Sequence, residues 1–178
     1  YPNGKLLAFD IFFKNWRNDG EFVQVFPFRS ADKSVTMIRE FAPASGGWQW
    51  GIPGGNVERA AISRHESAVE RVLDSAKREL LEEARLAGGT WIPLLNPGKS
   101  ILQDKYQADR LYVYLCIDPE PPKASEEEAA LDDEEIIQVH HGVGVDQVRQ
   151  RIQQGEMQAN NIAGCLLAMD KLSSMGLL

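Results

Sequence analysis

The sequence predicts an α+β fold built on a mixed β-sheet. Three observations carry this expectation. Short strand-like segments fill roughly the first fifty positions, a single long helical pattern follows, and an apolar strand run then precedes two further helical segments. Strands, helix, strands and helices in that order argue against a regular alternation of β and α units. With 178 residues the chain has enough length to bury a core without metal or disulfide staples.

The elements follow in order. Residues 6–13 alternate weakly and read as a strand, 18–20 as a turn and 21–28 as a second strand. Residues 35–41 form a third strand candidate, and Gly46-Gly47 turn the chain toward Trp48 and Trp50. The glycine- and proline-rich stretch 51–55 reads as loop. Ala68, Val72, Ala76, Leu80 and Ala84 then recur every fourth residue, a helical stripe that Gly88 and Gly89 are expected to stop. Residues 111–117 are a continuous apolar run of strand type, 136–140 a further strand, and 145–154 and 160–172 two helices divided by Gly155. The expected organisation is a small N-terminal β-strand region, residues 1–32, followed by the main domain, residues 33–178.

Composition excludes several classes. The net charge is −7, which argues against a general electrostatic hold on nucleic acid or on an anionic membrane surface. That charge is concentrated: residues 120–135 carry eight acidic groups against the single Lys123, and the remainder balances. No apolar run approaches the ~20 residues of a membrane span. Cys116 and Cys165 lie far apart in apolar stretches and read as buried, reduced thiols. The default expectation is a cytoplasmic protein; because the numbering opens at Tyr1 without a methionine, an organellar location stays open.

The stretch from Pro53 to Leu86 holds the chemistry. On a helix, Glu79 and Glu83 share a face one turn apart, and Glu82 borders it. Leu80, Ala76 and Ala84 point elsewhere and anchor the helix. Three carboxylates on one wall repel one another unless a counter-charge intervenes, and a hard divalent cation with oxygen ligands supplies one. Arg78 can hold nearby carboxylates in place. Gly54 and Gly55 allow close approach of the backbone, where the Gly54 carbonyl can serve as a further oxygen ligand. The bland reading of the same residues is a solvated helix face, and Glu58, Arg59, Arg64, Arg71, Asp74 and Lys77 read as surface.

Taken together, these residues resemble the Nudix box, a glycine, a glutamate and then Arg-Glu-U-x-Glu-Glu-x-Gly-U, with U aliphatic. Gly55 matches the opening glycine, Glu70 the first glutamate, and Arg78 through Glu83 the core. There are two departures. Residues 56–69 make the first spacing nine longer than the family pattern, which suggests a helix extended at its N-terminus, and Arg85 stands where the family has its closing glycine. The stretch 37–45 with Trp48 resembles the ADP-ribose and ADP-sugar pyrophosphatase branch, although Ala42 occupies that branch's usual arginine position and Arg39 lies three residues earlier.

The resemblance implies a Nudix α/β/α sandwich. It implies divalent-metal-dependent hydrolysis of a nucleoside diphosphate linked to another group, ADP-ribose or an ADP- or NDP-sugar, releasing a nucleoside monophosphate and a sugar phosphate. Magnesium or manganese would be held by Glu79, Glu82, Glu83 and the Gly54 carbonyl, with Glu135 from the acidic loop. Glu82 and Glu134 are the implied catalytic carboxylates and Arg78 their orienting partner. Arg39 and Lys99 are the candidate substrate-binding cations, and a homodimer is expected. The alternative is a catalytically degenerate Nudix domain serving as a binding or structural subunit. Hydrolysis of a nucleoside triphosphate or a dinucleoside polyphosphate shares the same metal helix.

Three lookalikes fail on spacing or geometry. Pro97-Gly98-Lys99-Ser100 ends like a phosphate-binding loop but has Pro93 where the first glycine belongs, which makes a surface turn the simpler reading for Lys99. Gly142-Val143-Gly144 lacks the third glycine of a dinucleotide site, having Gln147 there. His140 and His141 are strand neighbours and point to opposite faces, unsuited to one shared ion. Phe22, Phe26, Phe28, Trp48 and Trp50 could stack on a base, but core packing is the stronger expectation.

Overall fold

The computed structural model describes residues 20–57, 67–102, 109–123 and 136–178. Its strands form one mixed sheet. β1 (Glu21–Arg29) lies at the centre, antiparallel to β2 (Ser34–Ala42) and parallel to β7 (Arg110–Ile117). β3 (Gly47–Gly51) and β8 (Ile137–Gly144) both pair antiparallel with β2, while β4 (Gly54–Asn56) pairs with β1. β5 (Thr90–Pro93) and β6 (Ile101–Leu102) add antiparallel to β7.

Alternation along the central strands gives each face its own core. Val23 and Val25 of β1, with Tyr114 and Cys116 of β7, pack under α1 (Ala68–Ala84) against Val72, Ala76 and Leu80. Phe26, Phe28, Met37 and Leu115 face the other way, against α2 (Val145–Gln153) and α3 (Ala159–Ser174) through Val148, Cys165, Met169 and Leu172. The expected α/β/α sandwich is therefore present, because both faces of the central strands are apolar and each must be covered. Phe26 and Phe28 are wholly buried core residues. Both cysteines are free and buried, and burial pushes each thiol up to about 12. Among the described residues no helix is long and apolar enough to cross a membrane.

Several expectations change. β1 was expected to belong to a separate region ending at residue 32, yet it hydrogen-bonds to three neighbours in the main sheet. The boundary at 32/33 therefore falls inside the sheet, in the turn between β1 and β2. The strand expected over 6–13 lies outside the described residues. Part of the loop expected at 51–55 is strand: Gly54 and Gly55 pair with Gln24 and Val23. A Cβ on Gly54 would lie 2.3 Å from the Val23 carbonyl oxygen, so only glycine permits this pairing distance. β5 and β6 carry no strong period of their own and exist through pairing with β7.

Helix α1 also differs at both ends. It is not extended toward its N-terminus. Ser67 caps it, its hydroxyl accepting from the Glu70 N–H at 3.3 Å while the Glu70 carboxylate accepts from the Ser67 N–H at 3.1 Å, a reciprocal capping box. Its end is not at Gly88-Gly89. Arg85 stops it with φ 56° and ψ 42°, in the left-handed region. The Arg85 N–H bonds back to the Leu81 carbonyl at 3.2 Å and the Leu86 N–H to Leu80 at 3.4 Å, as in a glycine-type helix stop. The backbone thus turns where the Nudix pattern places its glycine, although a Cβ stands there. Arg71, expected as surface, forms an ion pair with Glu21 at 2.7 Å with both side chains mostly buried, and the Tyr112 hydroxyl donates to Glu21 at 3.0 Å. This network ties the first turns of α1 to the start of β1.

Replacing Arg85 by glycine removes the left-handed penalty of a residue with a Cβ. Arg85→Gly is expected to stabilise the fold by about 1 kcal/mol, read as a higher midpoint with unchanged slope in urea unfolding.

Candidate active site

Helix α1 buries more than its apolar stripe. Ser75, Glu79 and Glu83 form a second buried row beside Val72, Ala76 and Leu80. Glu79 is only 5% exposed and Glu83 only 3%. Carboxylates removed from water need hydrogen-bond donors or positive charge close by, and the sheet corner provides both. The Gly54 N–H donates to Glu83 Oε2 at 2.7 Å. The Arg78 guanidinium spans Glu79 and Glu82 on its own helix and donates across to the Asn56 carbonyl at 3.2 Å. Arg78 therefore orients two carboxylates while fastening α1 to the end of β4. Glu70, which matches the first glutamate of the motif, is used in the helix cap.

The glycines complete the cradle. A Cβ on Gly55 would fall 2.4 Å from Glu79 Oε1, so main chain and carboxylate meet at a distance that any side chain would block. Whether this corner suits a divalent cation is decided by its donors. Glu79, Glu82, Glu83 and the backbone at Gly54 offer only hard oxygen, on a rigid helix beside a strand that lacks Cβ atoms, as magnesium and manganese prefer. Among the described residues no three carboxylate, imidazole or thiol groups converge on one point; the guanidinium of Arg78 engages two of the α1 carboxylates instead. The donor chemistry fits the cation, and seating it would require Arg78 to yield part of its hold.

A polar pocket of about 90 Å³ adjoins this corner and shares Gly54 with it. Its wall is Gln24, Glu40, Gln49, Trp50, Asn160 and Asn161, with Ile38, Ile52 and Gln158. Asn161 fastens α3 to the strand end, its Oδ1 accepting from the Ile52 N–H at 2.9 Å. Glu40 is the sole ionisable group among these lining residues, and burial raises its carboxyl above the ordinary glutamate value. Gln24 is 5% exposed, and its Oε1 has no hydrogen-bond partner. Of these pocket residues the sequence singles out only Gly54 and Trp50. Glutamines and asparagines carry no spacing signal, and strands β1 and β3 meet the N-terminal end of α3 only in the folded chain.

The remaining candidates divide. Arg39 projects from β2 over the Trp48 and Trp50 rings, at 5.7 and 5.9 Å, and its Nε is buried without a partner. It packs beside the pocket through Trp50, whose ring also carries Arg151 at 4.6 Å and His140 at 4.6 Å. His141, on the neighbouring position, bonds instead to the Thr36 hydroxyl at 3.1 Å. Lys99 sits in a turn and lines a separate, largely apolar cavity of about 150 Å³ with Val69, Val72 and Tyr112; this cavity shares no residue with the Gly54 pocket. Glu134 and Glu135 lie outside the described residues.

Comparison with known proteins agrees with this geometry. The NUDIX domain family model matches residues 21–162, and the chain belongs to the Nudix family. As expected from the motif, it is a Nudix hydrolase. Among solved structures it is similar to one described as an ADP compounds hydrolase, with a TM-score of 0.68 at 19% identity, covering 89% of this chain and 75% of that one. It is also similar to a NUDIX hydrolase from Nitrosomonas europaea, with a TM-score of 0.57 at 14% identity, covering 85% of this chain and 88% of that one. At these identities the likeness concerns the fold. No curated protein sequence matches the chain.

Two outcomes test the site's construction. Gly55→Ala forces a methyl group into the Glu79 carboxylate and is expected to cost about 1–3 kcal/mol, read as a lower urea midpoint. Glu40 gives a pH signature. Its native carboxyl binds a proton more tightly than the unfolded chain, so the stability linked to it is fully present below the ordinary value of 4.5 and is lost as pH rises through the higher native value. Glu40→Gln is therefore expected to gain stability over the parent as pH rises from the ordinary value through the native one, to level off above it, and to match the parent's pH trend below the ordinary value. Unfolding midpoints at about pH 4 and about pH 8 check the difference, and an offset constant across pH would contradict it.

Proposed function

We propose that this Nudix hydrolase cleaves the pyrophosphate bond of ADP-ribose or of an ADP- or NDP-sugar in the presence of magnesium or manganese, releasing a nucleoside monophosphate and a sugar phosphate. The observation that carries the proposal is the pair of buried carboxylates, Glu79 and Glu83, fixed against the Gly54-Gly55 corner. A surface helix has no reason to bury two acids beside main chain stripped of Cβ atoms. The similarity to a structure described as an ADP compounds hydrolase supports the substrate class. The concentration of negative charge in residues 120–135 fits a small-molecule substrate better than nucleic acid.

Bound magnesium or manganese would neutralise the pyrophosphate and polarise the phosphorus toward attack. Glu79, Glu82, Glu83 and the Gly54 carbonyl are the residues proposed to hold it, with Glu135 proposed to join from the acidic loop. Glu82 and Glu134 are the proposed acceptors for the proton of the attacking water. Arg78 orients Glu79 and Glu82 before substrate arrives and is proposed to yield part of that hold when the metal is seated. Arg39, held over two indoles with an unpartnered Nε, is the proposed contact for a substrate phosphate. The active form is proposed to be a homodimer.

The degenerate alternative rested on the extra residues before Glu70, on Arg85 and on the shifted arginine. The first two leave the helix unaltered. Ser67 caps it at the start, and Arg85 takes the backbone conformation of the glycine it replaces. Nothing in the geometry favours that alternative.

The test is nucleotide release from ADP-ribose, ADP-glucose, UDP-glucose and nucleoside triphosphates, with magnesium or manganese. Glu83→Gln is expected to reduce turnover of the preferred substrate more than about 100-fold and to abolish the rise in melting temperature that the metal gives the parent. Absence of both turnover and metal stabilisation in the parent would overturn the proposal.

A further inference from the structure

The polar pocket beside Gly54 has a marked imbalance in its hydrogen bonding. The Ser45 hydroxyl donates to the Ala42 carbonyl at 3.2 Å and accepts from Gln49 Nε2 at 3.5 Å, and Gln49 Oε1 is buried without a partner. Gln24 Oε1 is likewise buried and unpartnered, lying 3.1 Å from where a Cβ on Gly164 would stand. Glu40 contributes a carboxyl whose surroundings raise its proton affinity through desolvation. The wall of the pocket holds amides, one carboxyl and one indole, and no lysine, arginine or histidine among the described lining residues. Buried acceptors without donors are costly and mark a place where something else supplies the protons.

The lining itself offers a phosphate group, which is an acceptor, no donor cation; Arg39 and Arg151 stand outside it, behind the Trp50 ring, where Arg39 is the proposed contact of the neighbouring pyrophosphate. The complementary chemistry is a neutral group with several O–H donors. We propose that this pocket binds the hydroxyl-bearing sugar ring attached to the pyrophosphate on the side away from the nucleoside, with Gln24, Glu40 and Gln49 accepting its hydroxyl protons. This rests on the hydrolase reading above for the position of the pyrophosphate, which the shared Gly54 places next to the ring: its N–H is bound to Glu83 and its main chain lines the pocket. Asn160 adds the complementary donor. Its Oδ1 already accepts from the Asn161 N–H at 2.9 Å, which leaves its NH₂ for a ring or hydroxyl oxygen. Sugar selectivity then comes from buried acceptors that a ligand lacking the hydroxyls would leave unpaired.

Two measurements keep this proposal apart from the hydrolase reading. The first needs no turnover. Ribose 5-phosphate and AMP are titrated separately into the ¹⁵N-labelled protein with magnesium, and the side-chain amide signals of Gln24, Gln49 and Asn160 are followed. Ribose 5-phosphate is expected to shift these signals, with an affinity weakened at least about tenfold in Glu40→Ala; Gln49→Ala, expected to weaken it similarly, is the second variant should the first not fold. Shifts produced by AMP and not by ribose 5-phosphate would show that the pocket reads the nucleoside, and absence of any shift would show that it reads neither; both overturn the proposal. The second measurement compares kcat/KM for ADP-ribose with that for the ethyl ester of ADP. The parent's preference for ADP-ribose is expected to fall at least about tenfold in Glu40→Ala, and an unchanged ratio would count against the sugar contact. If the parent hydrolyses neither compound while ribose 5-phosphate still shifts the amides, the hydrolase reading falls and the sugar pocket stands.

Discussion

Two acids buried under a sheet corner set the terms for the rest of this molecule. Glu79 and Glu83 sit on the same helix row as Ser75, beside an apolar stripe that enters the core. They are tolerable there only because a main-chain N–H and a guanidinium lie within hydrogen-bond reach. That requirement fixes several features at once. β4 must run close enough to α1 for the Gly54 N–H to reach Glu83. Gly54 and Gly55 must lack side chains, because a Cβ at either would strike the Val23 carbonyl or the Glu79 carboxylate. Arg78 must lie between its two carboxylates and still touch β4. A site of this kind is held before any ligand arrives, by the same contacts that hold the fold.

The helix that carries these acids is insulated from the irregularities around it. The motif's spacing is nine residues longer than the family pattern before Glu70, yet the helix begins cleanly at a reciprocal cap formed by Ser67 and Glu70. At the other end a residue with a Cβ adopts the left-handed conformation that glycine would take freely, and the backbone hydrogen bonds of the stop are formed regardless. The strain at Arg85 is small beside the burial of Leu80, Ala84 and Leu86 that follows from ending the helix there. Departures from a motif matter when they unwind the element that carries it, and here α1 runs unbroken from Ala68 to Ala84.

The neighbouring pocket follows the opposite logic. The carboxylates of α1 are provided with partners, whereas Gln24 and Gln49 are held with acceptors unmatched and Glu40 is held where burial disfavours its charge. Unmatched acceptors weaken the folded state, and they persist where their use lies outside folding. The two regions meet at Gly54, which donates from its N–H to the helix and offers its backbone to the pocket. One short strand therefore couples an oxygen-rich, metal-suited corner to a cavity lined with amides.

Much of this was open to reading in one dimension. The helix over α1 was legible because its apolar residues recur at a fixed spacing, and the acids at 79, 82 and 83 fall on one side of it by the same period. The Nudix motif could be recognised because its residues are contiguous and their types are chemically restrictive. The strands β1, β2, β7 and β8 were visible from their apolar and β-branched content. Other features depended on contacts between distant segments. That Gly54 and Gly55 form a strand rather than a loop is decided by Val23 and Gln24, some thirty positions earlier. The helix stop at Arg85 is marked only by the motif, whose glycine belongs there, since arginine itself has no preference for the left-handed region; Leu86, just past the stop, is buried in the core. β5 and β6 acquire strand character only from β7. The pocket of Gln24, Glu40 and Gln49 is assembled from β1, β2, β3 and α3, and nothing in the spacing of those residues announces it. Local period and motif determine which elements exist and which acids share a face; proximity across the sheet decides how those acids are buried and what lies beside them, because hydrogen-bond satisfaction is a property of the assembled neighbourhood and not of the chain.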